Sequence, residues 1–479
     1  MKRFMKWCGV GFFGLLCVVV FNTVRFTPPN LPKVEITVPK VDSNIVAQKL
    51  SQAIQFKTVS HPLGKPGRPA AYKEFIEWLE VAFPNASNSM TRTIVGGFTP
   101  LYLWKGTDIS QRPVLVSGHY DVVPIEGEWS RDPWKGEISE GYVWGRGALD
   151  MKGSVISFME AVDRLAADGF RPQRDIYIAI TQDEEIGGAG GAAAVITYFK
   201  ENNISIDWSL DEGSFVLRDI ITSIDKDIAS INIAEKGNMT VQITAKGVGG
   251  HSSLPHRDTA VSNLARAIVE LQREPVPGGL TDVSKSMFDT LGRHMGIAER
   301  VLFANSWLFK PLLEYILSQK NTTDAVLRTT KAPTMLEGSK ADNVLPQAAS
   351  VFVNFRLHPR DDEGTILSHI TKQIQQDHVD IDVIKVRAAS PVSAHNNDAF
   401  EKLSLAAHAV FGDVIVVPGI TIAGTDSGRY STYVDNSYRF LPFVFTSDDI
   451  ALLHCKDERI SIENLGMAVK FYMVLFRGL

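Results

Sequence analysis

The sequence predicts an α/β protein in which a mixed, largely parallel sheet flanked by helices is interrupted by a smaller, inserted α+β domain. Three observations predict it. A chain of 479 residues exceeds the usual size of one core, so two domains are expected. Short apolar runs at Arg112–Ser117 and Ile176–Thr181 bracket a segment whose apolar residues (Val155, Ile156, Phe158, Met159, Val162, Leu165) recur at helical spacing until Gly169 ends the pattern. That strand–helix–strand order belongs to a parallel sheet. Near Gly237 the character changes: Met239–Ala245 and Ser350–Leu357 alternate apolar and polar, as half-exposed antiparallel strands do.

From the N-terminus, Lys2, Arg3 and Lys6 precede an unbroken apolar run, Trp7–Phe21. The run is short for a full span, which needs about 20 residues, and suits a signal peptide or a short signal anchor over residues 1–25. No small-x-small cleavage site follows, which favours the uncleaved anchor, and Leu15-Leu16 before Cys17 argues against a lipid-modified cysteine. The positive-inside rule then puts the body outside the cytoplasm, in a periplasmic, lumenal or extracellular space, tethered to a membrane. Pro28, Pro29, Pro32 and Pro39 make residues 26–40 an extended linker. Residues 41–236 and 358–479 carry the α/β pattern, and 237–357 form the insertion. Within the insertion, Val261–Leu271 and Val301–Leu317 read as helices, while Pro275–Lys331 as a whole has no clear assignment.

Hydrophobic content of 44% and charged content of 22% are those of a globular protein. The net charge is −5, and the N-terminal 25 residues are purely basic, so the body is more acidic still. That sign excludes a nucleic-acid partner, which requires a basic face. Cys8 and Cys17 lie in the apolar run and Cys455 is alone in the body, so no disulfide forms within it.

Five short signals carry chemistry. Ser117-Gly-His119-Tyr-Asp121 ends an apolar strand, where His119 and Asp121 point to one side; that suits an imidazole metal ligand oriented by a carboxylate, although such a pair taken alone is more often a surface pair. Asp150 lies among glycines at a loop-to-helix junction, as a ligand or as an ordinary cap. Asp183-Glu184-Glu185 follows the Ile176–Thr181 strand, where adjacent carboxylates repel unless they share a cation or remain solvated. Asp211-Glu212-Gly213 and His454 complete the series.

In this order, His119-x-Asp121, Asp150, Glu184-Glu185, Asp211 and His454 resemble the zinc exopeptidase family of carboxypeptidase S, aminoacylase and glutamate carboxypeptidase. The strings SGHYDVVP (117–124), GRGALDMKG (145–153) and GGHSS (249–253) fit it closely, and the resemblance runs from about residue 45 to 479. Its nearest branch is that of carboxypeptidase S and the N-acyl amino acid hydrolases. The resemblance implies two zinc ions, with cobalt or manganese as substitutes: one on His119 and Asp211, the other on Glu185 and His454, with Asp150 bridging. It implies Asp121 as the support of His119, Glu184 as the general base, and His251 as the group that stabilises the oxyanion, supplied in dimeric relatives by the partner subunit. Asn343, Arg356 and the Gly424-Thr425 loop match positions that hold the substrate's free carboxylate, for which an arginine fork is the natural partner. The implied reaction is hydrolysis of an amide bond next to a C-terminal carboxylate, releasing an amino acid from a peptide, or, in the same family, from an N-acyl amino acid. The implied second domain is a lid or dimerisation domain, with a homodimer as one arrangement.

Two readings of other classes compete. Gly188-Ala-Gly190-Gly-Ala-Ala193 fits a dinucleotide fingerprint, as in an oxidoreductase, but three carboxylates stand where a pyrophosphate would approach. A catalytically inactive substrate-binding protein would need the ligands but not Glu184. No Gly-x-Ser-x-Gly elbow supports a serine hydrolase.

Overall fold

The computed structural model describes residues 2–29, 36–61 and 69–479. Its main sheet runs, neighbour by neighbour, through Met90–Val95, Thr99–Trp104, Ile176–Thr181, Val114–His119, Trp208–Asp211, Asn436–Arg439, Ile228–Glu235, Val216–Leu217 and Val444–Phe445, with Ile415–Thr421 paired to Ile228–Glu235. The centre, from Ile176–Thr181 to Asn436–Arg439, is parallel, and Ile415–Thr421 is parallel to its partner; the Met90–Trp104 edge is antiparallel. Every residue of Val114–His119 and Ile176–Thr181 is buried, which is why both read as continuous apolar runs. Their side chains divide by the period of two. Val114, Val116, Ile176 and Ile178 join the core beneath helices Lys152–Ala167 and Ile462–Arg477, while Leu115, Tyr177 and Ala179 pack against Ala192–Glu201.

A second, antiparallel sheet is ordered Thr330–Glu337, Ala348–Leu357, Gly237–Lys246, Val379–Arg387. Met239, Val241, Ile243 and Ala245 are buried on one face against helices Ala260–Arg273 and Glu363–Gln373, so the alternation seen in the sequence is the sheet's inner and outer face.

The structure moves two boundaries. The last strand of the second sheet is Val379–Arg387, beyond the expected end at 357. The unassigned stretch forms four helices, Asp282–Gly292, Ile297–Ala304, Ser306–Ser318 and Asn321–Leu327, whose Val283, Phe288, Leu291, Phe303 and Leu313 belong to the core of the main domain and not to that of the insertion. A helical period reveals an apolar stripe but not which of two cores receives it.

Residues 2–25 form one helix. Among the described residues no helix is long and apolar enough to cross a membrane, so the spanning expectation for this segment finds no support there. The expected linker 26–40 falls partly on 30–35, outside the described residues. Its start is tied down, since Phe26 and Thr27 carbonyls accept from Arg300 and Arg293.

The chain crosses between the domains at Gly237 and Ala389. A Cβ on Gly237 would lie 2.5 Å from the Ala389 nitrogen, so only glycine admits the two strands side by side. Beside the crossing, the fully buried Glu235 accepts from Arg387 (2.6 Å), from Arg439 Nε (3.2 Å) and from the Thr425 hydroxyl (2.7 Å). One carboxylate thus joins both crossing strands to the Gly424-Thr425 loop.

Candidate metal centre

The carboxyl ends of the parallel strands converge, and chemistry collects there as it does in open α/β sheets generally. Val114–His119 delivers His119, Ile176–Thr181 leads into Glu184 and Glu185, and Trp208–Asp211 leads into Glu212. Asp150 and His454 arrive on loops.

Asp150 is the pivot. One carboxylate oxygen lies 3.0 Å from His119 Nε2, and the other lies 3.0 Å from His454 Nε2. It caps no helix: Met151 stands at the cap position of Lys152–Ala167. Each imidazole has a second carboxylate of its own. His454 Nε2 is 3.2 Å from Glu185, and His119 Nε2 is 3.3 Å from Glu212 and 4.0 Å from Glu184. Asp150 therefore stands between the two imidazoles, and two sets of side chains lie close enough to hold an ion: His119, Asp150 and Glu185, and His119, Glu184 and Glu212, with His119 common to both.

The electrostatics fit cations. Burial pushes Glu212 up to about 8 and Asp211 to about 6, and it raises Glu184, where the neighbouring Glu212 adds to the effect. His454 is pushed up to about 10 by Asp150 and Glu185. Burial opposes charge on His119, yet Glu212, Asp121 and Asp150 outweigh it. One buried oxygen of Glu185 has no hydrogen-bond partner among the described residues. Protons on the histidines balance part of this charge, and divalent ions are the counter-charge such a cluster of carboxylates suits. Imidazole and carboxylate without thiolate is the donor set of catalytic zinc and its neighbours.

The supports are equally ordered. The buried Asp121 accepts from the Ser60 hydroxyl (2.5 Å) and from the amides of Glu184 and Glu185 (3.2 Å each), while His119 Nδ1 sits 3.0 Å from the Asp121 carbonyl and 3.4 Å from its carboxylate. Asp121 thus orients the ligand and the Glu184-Glu185 turn together. Glu458, fully buried, accepts from the amides of Leu149 (2.8 Å) and Asp150 (3.2 Å) and pairs with Arg146 (2.6 Å), whose other arm donates to the His454 carbonyl (3.1 Å). The two metal-facing loops are therefore fastened to each other.

A cavity of about 470 Å³ opens over the centre. Arg356 enters it from the second sheet, Gly424 and Thr425 form part of its rim, and Leu149, Phe215, Leu441 and Leu453 make an apolar wall.

Most of the expected residues meet here: His119, Asp121, Asp150, Glu184, Glu185, His454, Arg356, Gly424 and Thr425. Asp211, expected as a ligand, does not line the cavity, whereas the adjacent Glu212 does; Asp211 is buried, with one carboxylate oxygen that has no hydrogen-bond partner among the described residues. Adjacent residues at a strand end point to opposite sides, and sequence matching alone does not say which of Asp211-Glu212 turns inward. His251 and Asn343 also stand apart, exposed on a two-stranded ribbon in which His251 pairs with Val344 and accepts from Ser253. Glu212 stands in the fourth sequence signal but is given no role there, while Glu458 and Ser60, which act through distant loops, are not singled out by the sequence.

The dinucleotide reading fails on geometry. The amides of Gly190 and Gly191, where a pyrophosphate would have to bind, donate to the Asp183 carboxylate at 2.6 and 2.8 Å.

Comparison with known proteins identifies the family. The model of peptidase family M20/M25/M40 matches residues 115–477. A probable carboxypeptidase S-like protein of Dictyostelium discoideum is 38% identical, over 97% of this chain and 92% of that protein. An N-fatty-acyl-amino acid synthase/hydrolase of Xenopus tropicalis is 32% identical, over 90% and 85%. An M20 family metallo-carboxypeptidase from Sulfolobus solfataricus shares the fold, with a TM-score of 0.65 at 17% identity over 90% of this chain and 98% of that one. The chain belongs to peptidase family M20/M25/M40, in the branch of carboxypeptidase S and the N-acyl amino acid hydrolases, and is a metal-dependent hydrolase.

Proposed function

We propose that this chain uses two zinc ions to hydrolyse an amide bond next to a free carboxylate, releasing an amino acid. The observation that carries it is the split Asp150 carboxylate, with an imidazole and a further carboxylate on each side, below a cavity entered by Arg356. His119, Glu212 and Asp150 would hold one ion, and His454, Glu185 and Asp150 the other. Bound there, the ions would supply Lewis acidity to the carbonyl and lower the pKa of the attacking water. Arg356 and the Thr425 loop take the substrate's carboxylate, which sets the scissile carbonyl above Asp150. Glu184 accepts the proton of the attacking water and passes it to the leaving nitrogen, and its raised pKa suits that traffic.

The acyl side decides between two readings. The apolar wall of Leu149, Phe215, Leu441 and Leu453 supports an N-acyl amino acid as substrate, while the carboxylates of the same cavity, Asp150, Glu184, Glu185 and Glu212, are those a dipeptide's α-ammonium group would meet. Amino acid release from an N-fatty-acyl amino acid and from a dipeptide of the same C-terminal residue, with Glu184→Gln as control, tests both. The acyl compound should be preferred, and release at wild-type rate by the control would sink the whole assignment.

The exposed ribbon bearing His251 and Asn343 supports a homodimer in which each subunit completes its partner's site. The basic N-terminus followed by an apolar helix supports a body held at a membrane outside the cytoplasm.

A further inference from the structure

Helix Ser306–Ser318 has one face in the core, through Leu313, and another that is exposed among the described residues. Trp307 is 60% exposed and Tyr315 64%, and Leu308, Leu312 and Ile316 are exposed beside them. At 100° per residue these five fall in one half of the helix, and that half contains no charge; Lys310 and Glu314, an ion pair at 3.7 Å, lie on the flank. A contiguous apolar patch of this kind marks a contact surface.

The N-terminal helix is fastened at the start of the same element. Asn305, fully buried between Ile297–Ala304 and Ser306–Ser318, donates to the Val19 carbonyl and the Thr23 hydroxyl (3.2 Å each) and accepts from Asn22 (3.0 Å). Arg293 stacks on the Phe26 ring at 4.3 Å. Beyond this joint the N-terminal helix exposes Trp7, Val10, Phe12, Phe13, Val18, Val20 and Phe21, which point in all directions around it. A protein partner covers one stripe of a helix, whereas lipid covers every side. Arg25, Arg293 and Arg300 surround the joint, at the depth where lipid phosphates would lie.

We propose that the exposed half of Ser306–Ser318 is a second membrane contact, lying in the lipid interface beside the inserted N-terminal helix, with Trp307 and Tyr315 at headgroup depth. The inference rests on the membrane-held reading of the N-terminal helix. It adds that the body is seated on the bilayer at a fixed face instead of swinging from a tether. Aromatic side chains with a polar tip, and an acid-free apolar half-cylinder, are what such a contact requires.

The test compares the full chain with its Leu312→Glu/Ile316→Glu variant on vesicles of phosphatidylcholine and phosphatidylserine, by flotation and by amide hydrogen exchange. Wild type should float, with exchange over 306–318 slowed at least several-fold on vesicles. The variant should still float through its N-terminal helix but lose that protection, while hydrolysing a soluble substrate at the wild-type rate. Flotation with unchanged exchange over 306–318 would overturn this inference and leave the N-terminal reading standing. Failure of the full chain to float would remove both. Protection that grows with protein concentration in the absence of vesicles would assign the face to a second copy, and overturn it.

Discussion

The metal edge of the main sheet and the ribbon of the inserted domain carry residues of the same motif series, yet they are built on opposite terms. At the metal edge, Asp121 alone holds a histidine, a serine and two backbone amides, and Glu458 holds two loops. On the ribbon, His251 has two strand residues, one partner in Ser253 and solvent around it. The first region is fixed by its own chain. The second is free to meet something else, and its function depends on what it meets. Most buried polar groups are held by hydrogen-bond partners, so a site made of them is over-determined by its surroundings, while an exposed histidine is determined by its partner.

That difference also explains what the sequence disclosed. Buried parallel strands announce themselves as apolar runs, and a charged residue at the end of such a run, as at His119 or Glu184-Glu185, is conspicuous against it. The fold class follows from that contrast, which also draws notice to His119 and Glu184-Glu185; Asp150 and His454, which arrive on loops, and the division of roles come from the family resemblance. Two things follow from neither. Which of Asp211 and Glu212 faces inward depends on the twist of one strand end, which no pattern of two adjacent acids encodes. The assignment of Asp282–Leu327 to the main core, and of Val379–Arg387 to the second sheet, depends on contacts made across long sequence separations. The Glu235 network, joining residues 235, 387, 425 and 439, is invisible for the same reason.

The largest effect is expected where over-determination is greatest. Glu212→Ala removes a carboxylate that His119 faces at 3.3 Å, and should reduce bound metal from two equivalents towards one, with turnover falling by ~10³-fold or more, equivalent to several kcal/mol of lost charge stabilisation. Asp211→Asn, at a residue that does not line the cavity, should retain both metals. Metal content by elemental analysis decides between the two; the reverse pattern would restore Asp211 as the ligand and show that the strand end turns over when metal binds.

The ribbon should respond in a way that the metal edge cannot. His251→Ala should lower kcat by about 10²–10³-fold with KM little changed, as loss of an oxyanion contact does. Mixed with inactive Glu184→Gln protein, it should regain about a quarter of wild-type activity, because half of randomly paired dimers then hold one complete site. No recovery on mixing, in a preparation shown to exchange subunits, would place His251 within its own chain's site and erase the contrast between the two regions.

The smallest of these effects lies one layer behind the metals. Glu458→Gln keeps the shape of the side chain but discharges the partner of Arg146, and Arg146 is only 1% exposed. Burial has already pushed Glu458 up to about 7, with the arginine pulling against it, so the pair stands close to the limit of what the site can keep charged. Losing the pair should loosen the Asp150 amide and the His454 carbonyl together, since the same two side chains hold both. Metal affinity should therefore fall by about 10–100-fold, the usual cost of a lost support behind a ligand, while kcat at saturating metal stays near wild type. Titration with a chelator measures the first and steady-state kinetics the second. A fall in kcat that excess metal does not restore would mean that Glu458 sets the position of Asp150 over the reacting carbonyl as well as over the ions.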